Sequence, residues 1–237
     1  ALQFSITAIG CIIQQTALNG LDGSMPGVVT AYTAASKIDN VANQTLAALG
    51  TAMATFAGQN YGAKEYARIG KGVTAGMVYV LASSVLGFAF AVGLCGPLMK
   101  LFLNADLSAN VAAHYAEVIA YGRQYLIWQC AFYPFLGAIF VFRNTLQGIG
   151  KSAVTTFAGV TELAGRILAS LVFVRIWGFA GICSSNPVAW VAAVMFLVTT
   201  YAVVMRCRNN GELPRARSRA HRRRLRRSCR IAVRRAS

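Results

Sequence analysis

Apolar residues run through this chain in long stretches, broken at intervals by short clusters of Gly, Pro, Asn, Gln and charge. A helix crosses a hydrocarbon layer about 30 Å thick with about 20 mainly apolar residues, and inside that layer it must satisfy its own backbone groups. Against this ruler the chain divides into six spans, at residues 1–19, 28–58, 73–98, 111–147, 152–175 and 187–205. The first is free of charge and ends in a polar turn at Asn19, Gly20 and Asp22, closed by Pro26. The second is rich in Ala, is interrupted by Lys37 and Asp39, and is long enough to tilt. The third has no charged residue and reaches the Gly96-Pro97 pair, with Lys100 and Asp106 beyond it. The fourth, at 37 residues, is too long for one straight crossing and holds Pro134 in its middle. It lacks the polar residues that would turn the chain back, so it reads as one kinked helix with an interfacial start near His114 and Glu117. The fifth carries Glu162 and Arg166, and the sixth is uncharged.

The pattern predicts an all-α membrane protein, a six-transmembrane-helix bundle over residues 1–205 followed by a basic tail at 206–237. Composition agrees. Soluble domains are about a quarter charged, whereas this chain is 13% charged and 56% hydrophobic, with a mean hydropathy of +0.52. The formal charge of +16 suggests a nucleic-acid binder until it is located. Residues 206–237 hold thirteen arginines against Glu212, while residues 1–205 have ten basic and six acidic groups, so charge characterises the tail and not the body.

Loop charge sets the expected topology. Lys64, Arg68 and Lys71 follow span two, Arg143 and Lys151 follow span four, and the C-terminus is basic. With six spans these lie on one face, which the positive-inside bias marks as cytoplasmic, with both termini inside. A seven-span count would move Lys151 to the other side. The chain opens within an apolar run at Ala1, without a basic leader or cleavage site, so the expectation is a segment of a longer protein.

Candidate chemistry is sparse. Six cysteines stand singly and there are two histidines, so neither a metal site nor imidazole catalysis is expected, and no enzymatic cluster is apparent. The informative groups are the ionisable and amide side chains within spans, which are costly in hydrocarbon and therefore face partners or water. Gln14, Asn19, Lys37, Asp39, Asn43, Gln129, Glu162 and Arg166 are the candidates for a substrate or ion pathway. Lys37 and Asp39 point to different sides of their helix, so Asp39 needs a partner elsewhere, whereas Glu162 and Arg166 can pair one turn apart.

Three strings carry a resemblance: Ala31-Tyr32-Thr33-Ala34-Ala35-Ser36-Lys37-Ile38-Asp39; Gly58-Gln59-Asn60-Tyr61-Gly62-Ala63; and Phe142-Arg143-Asn144-Thr145-Leu146-Gln147-Gly148-Ile149-Gly150. They resemble the multidrug and toxic compound extrusion (MATE) transporters, and in particular the second six-helix lobe of the DinF-like and MepA-like bacterial branch. Gly58, Gln59, Asn60, Gly62, Ala63, Arg143, Gln147, Gly148 and Gly150 read as structural. Gly58 and Gly62 are expected to let the chain leave helix two, Gln59 and Asn60 to satisfy carbonyls at its end, and residues 61–71 to lie along the interface. Gly148 and Gly150 are expected to break helix four.

The resemblance implies an antiporter of the bacterial inner membrane in which two lobes alternate around a central cavity. Such a protein exports small, often cationic, amphipathic compounds against sodium ions or protons, with no other cofactor. The implied partners are the bilayer, those substrates and a first lobe on the same or a separate chain, and nucleic acid is not expected. In some members a coupling Glu sits in the first helix of this lobe, but residues 1–19 hold no acid. The tail departs from the family as well. Arginine without lysine suggests a shifted reading frame, and a polybasic lipid-binding segment is the alternative. Two other functions stay open: a lipid-linked precursor flippase of the same superfamily, which calls for a strongly cationic cavity, and a membrane anchor presenting the tail to nucleic acid or lipid.

Overall fold

The computed structural model describes residues 2–21, 23–103 and 114–206. Every regular element among them is helical: α1 (Leu2–Asn19), α2 (Val28–Gly62), α3 (Tyr66–Leu103), α4 (Tyr115–Ala131), α5 (Tyr133–Gly148), α6 (Ser152–Trp177) and α7 (Phe179–Arg206). The chain comprises two compact units, Ala1–Val198 and Thr199–Ser237, and the described part of the second is the helical stretch that ends at Arg206. The expectations for the tail beyond Arg206, and those resting on Asp22 and Asp106, lie outside the described residues.

Three helical segments, Tyr66–Ala91, Ser152–Trp177 and Phe179–Arg206, are long and apolar enough to cross a membrane, and α4 with α5 reach that length and apolarity together as a bent pair. Their outward faces are those of a chain dissolved in lipid. Val78, Leu81, Val85, Leu86 and Phe90 of α3 are exposed, as are Leu168, Leu171, Ile176 and Trp177 of α6. Apolar surface of that extent marks a membrane-facing protein.

Within the first unit, α2 is the central helix and packs on α3, α4 and α5, while α1 lies against α6. Side chains tie the first half of α7 to its neighbours: Gln14 donates to the Ile182 carbonyl at 3.5 Å, Gln129 to that of Cys183 at 3.4 Å, and the Ser170 and Ser185 hydroxyls meet at 3.3 Å. A core of Leu18, Val28, Ala31, Ala35, Met99, Tyr125, Leu126, Ile182 and other buried residues closes one end of the bundle.

Several helix boundaries differ from the sequence expectation. Helix α3 starts at Tyr66 and passes through Pro97, and α7 starts at Phe179 and passes through Pro187, so these prolines do not bound their spans. The long fourth stretch is two helices bent by 47° at Phe132, and Pro134 sits in the first turn of α5. The cause is local: Pro134 has no N–H for the carbonyl one turn back, and its ring disfavours helical continuation at the preceding residue. Residues 61–71 are divided between two helices, Tyr61 and Gly62 ending α2 and Tyr66 beginning α3.

Helices α2 and α5 end in the same way. After α2, Lys64 takes a left-handed conformation (φ 64°), its N–H bonding to Tyr61 O at 3.1 Å and that of Glu65 to Asn60 O at 2.9 Å. After α5, Gly150 (φ 81°) plays the Lys64 part, with Gly150 N–H to Gln147 O at 3.0 Å and Lys151 N–H to Leu146 O at 2.9 Å. Both reversals satisfy carbonyls that a helix end leaves idle. The turn after α2 therefore rests on Lys64, whereas Gly62 is helical and has open space where a side chain would be. Gly148 has a packing role instead: a Cβ there would run into the Ala54 backbone, and Gly58 faces the Gly148 carbonyl, so α2 and α5 cross at backbone contact.

Gly148→Ala is expected to destabilise the protein by about 1–3 kcal/mol through overpacking, and Gly62→Ala to have no comparable effect. Thermal unfolding in detergent measures both, and equal losses would contradict the close crossing.

Candidate functional site: a polar cavity between the helices

A cavity of about 640 Å³ opens inside the first unit, lined by residues of α1, α2, α4, α5, α6 and α7. Helical periodicity explains its walls. On α2, Tyr32, Ser36, Asp39, Asn40 and Asn43 recur every three or four residues and form one polar stripe. On α5, Leu136, Ile139, Phe140, Arg143, Asn144 and Gln147 do the same, apolar at one end and polar at the other. Cys11 and Gln14 of α1, Tyr125 of α4, Glu162 and Arg166 of α6, and Asn186 and Trp190 of α7 complete the lining.

Two carboxylates organise the charge. Asp39 is buried, and its partner comes from across the bundle: the Tyr133 hydroxyl donates to Oδ1 at 2.6 Å, while Asn43 Nδ2 donates to Oδ2 at 3.0 Å one turn along α2. Tyr133 opens α5 directly after the bend, so the break at Phe132 places the hydroxyl that Asp39 needs. Glu162 stands between two guanidiniums. Arg143 of α5 donates Nη2 to Oε2 at 2.7 Å, and Arg166 donates Nη2 to Oε1 at 3.2 Å. Side chains in this cluster are 7–13% exposed, so its charges are close to fully withdrawn from bulk solvent. One turn further on, α6 widens into a π-helical segment, Ala169–Phe173. Such segments are rare and concentrate at functional sites, and this one lies beside the Ser170 and Ser185 contact.

Of the eight pathway candidates, the cavity brings together Gln14, Asp39, Asn43, Glu162 and Arg166. The other three lie elsewhere. Asn19 is exposed at the end of α1 and accepts a bond from Gln15 at 3.2 Å. Lys37 is exposed on α2 outside the lining. Gln129 is fully buried and joins α4 to α7 through the Cys183 carbonyl. Arg143 and Gln147, expected to be structural, line the cavity. Asn60 donates to the Phe56 carbonyl at 2.8 Å near the end of α2. No group of three or more potential metal ligands occurs among the described residues.

Sequence reasoning missed Tyr133, Tyr32, Asn40, Asn186 and Cys11. Two of them carried a signal: Tyr133 directly precedes Pro134 and Asn186 directly precedes Pro187, positions where a helix is perturbed and side chains are re-aimed.

A bundle of long apolar helices with buried charged and amide side chains gathered at one cavity is the architecture of a multi-pass membrane protein. The MatE family profile matches residues 19–171, and the chain belongs to that family. Among solved structures, the chain is similar to a MOP superfamily transporter from Pyrococcus furiosus whose binding pocket has reverse polarity, suggesting a different function. That match has a TM-score of 0.70 at 14% identity over 83% of this chain. It is also similar to a MATE protein in the bent conformation, with a TM-score of 0.69 at 14% identity over 83% of this chain. The chain spans 41% of the length of each of these structures. No curated protein sequence matches it.

Removing one partner from a buried ion cluster leaves the others uncompensated, at a cost of about 3 kcal/mol or more. Glu162→Gln, which leaves Arg143 and Arg166 facing each other, is expected to lower the unfolding temperature in detergent. Glu65→Gln, in the exposed turn after α2, should not change it. An unchanged melting profile for Glu162→Gln would remove the cluster as a structural pivot.

Proposed function

We propose that this chain is the second six-helix lobe of a secondary active antiporter, of the DinF-like and MepA-like bacterial branch, in the bacterial inner membrane with both termini cytoplasmic. The complete protein exports small amphipathic, often cationic compounds in exchange for sodium ions or protons, by alternating access between this lobe and a first lobe on the same or a separate chain. It is not an enzyme and uses no cofactor beyond the coupling ion. Family membership and the fraction of the solved transporters that this chain spans support that reading. The observation that carries it is the cavity: among the described residues Asp39 is a buried carboxylate with only neutral hydrogen-bond partners, beside the amides of Asn40 and Asn43, where a cation or a proton finds a compensating charge. Leu136, Ile139, Phe140 and Trp190 supply apolar surface for the body of an amphipathic substrate.

A flippase for a lipid-linked diphosphate has less support. Its cavity would carry a large cationic excess, whereas Arg143 and Arg166 are matched here by Asp39 and Glu162, and Lys37 and Arg123 do not line the cavity.

In the complete transporter, Asp39→Asn is expected to reduce export of a fluorescent organic cation about tenfold, because it removes the buried charge that the pathway offers a cation. Glu65→Gln should leave export at the wild-type level. Dye efflux from cells expressing each variant, at matched membrane abundance, measures this, and equal export in the two would take Asp39 out of the pathway.

A further inference from the structure

The cavity is polarised between its walls. Asp39 occupies the α2 side and is held by neutral groups, whereas Arg166 occupies the α6 side. Arg166 is 6% exposed and its donors are incompletely used: Nη2 meets Glu162 at 3.2 Å, Nη1 faces Cys11 Sγ at 3.3 Å, and Nε has no partner among the described residues. A thiol sulfur is a weak acceptor, and a buried guanidinium donor without a strong acceptor is unfavourable. Glu162 already spends its other oxygen on Arg143, at 2.7 Å. The guanidinium packs closely on Gly10 of α1: a Cβ there would stand 3.1 Å from Arg166 Cδ and 3.4 Å from Nη1.

Building on the reading of this cavity as a substrate site, we propose that Arg166, at the Cys11 edge of the cavity, is an anion-recognising subsite that takes the carboxylate of an amphipathic substrate. A carboxylate supplies the strong planar acceptor that the guanidinium fork lacks here. A cationic group is repelled from this wall and goes to Asp39. Cargo with an acid group is thereby distinguished from cargo that is only cationic, and the Arg166 wall makes the distinction.

Among the described cysteines Cys11 is exposed, whereas Cys95, Cys130 and Cys183 are buried, so its thiol, read against the Cys11→Ser chain, reports on the field and the occupancy of this wall. The test uses the full chain in detergent, with the Cys11→Ser chain as the labelling background, and two methanethiosulfonates of similar size, one bearing a sulfonate and one a quaternary ammonium. With rates normalised to a free thiol, the sulfonate reagent is expected to label Cys11 about tenfold faster, as a local cationic field concentrates anions. Arg166→Gln should abolish that preference and Arg166→Lys should keep part of it. Added 2-naphthoate should slow labelling of the native chain but not of Arg166→Gln, and 2-naphthyl-trimethylammonium should not slow it. A sulfonate preference of one or less in the native chain, or the absence of protection by naphthoate there, overturns the subsite without reference to any variant's folding. Either result leaves cation export by the complete transporter untouched, whereas loss of all organic-ion export would sink the underlying functional reading instead.

Discussion

A charged side chain in hydrocarbon must find a partner or water, and the arrangement of this bundle follows from that constraint. Four ionisable groups of the membrane-embedded helices converge on one cavity, and each has a hydrogen-bond partner on another residue there. The partners are mostly on other helices. Asp39 binds α2 to α5 through Tyr133, and Glu162 binds α6 to α5 through Arg143. The paired charges thus specify which helices meet and in which rotation, a task that apolar packing in lipid performs weakly because lipid tails are as apolar as leucine.

Backbone irregularities supply the geometry these pairings need. The bend at Phe132 turns Tyr133 toward α2, and the glycine crossing at Gly148 brings α5 onto α2 at the opposite end. Between these two points, polar and apolar residues of α2 and α5 line the cavity. Each irregularity has an identifiable chemical cause, the missing N–H of Pro134 in one case and the missing Cβ of Gly148 in the other.

Much of this was legible in the sequence, and what was not has physical reasons. The long apolar runs announced a helical membrane protein, and the three motif strings announced the family that the profile match establishes. Spacing announced the Glu162 and Arg166 pair, which forms at 3.2 Å. Helix ends were less legible, because Pro97 and Pro187 lie inside helices that continue through them and Lys64 occupies a left-handed position that glycine usually takes. In the cavity, attention to charge favoured Lys37 and passed over Asn40, although the spacing of Tyr32, Ser36, Asn40 and Asn43 already marked one face of α2. The Tyr133 partner of Asp39 is 94 residues away in the chain, and no local pattern encodes such a contact.

The central claim is that the polar stripes face a water-accessible cavity while the apolar faces meet lipid. Single cysteines at Asn40, Asn43 and Asn186, and at Val85, Leu86 and Leu171, in a chain otherwise free of reactive thiols and reconstituted in bilayers, test it through their rates of reaction with a polar maleimide. The account predicts that the three asparagine positions react and the three apolar positions do not. Faster reaction at Val85, Leu86 and Leu171 than at the asparagines would contradict it.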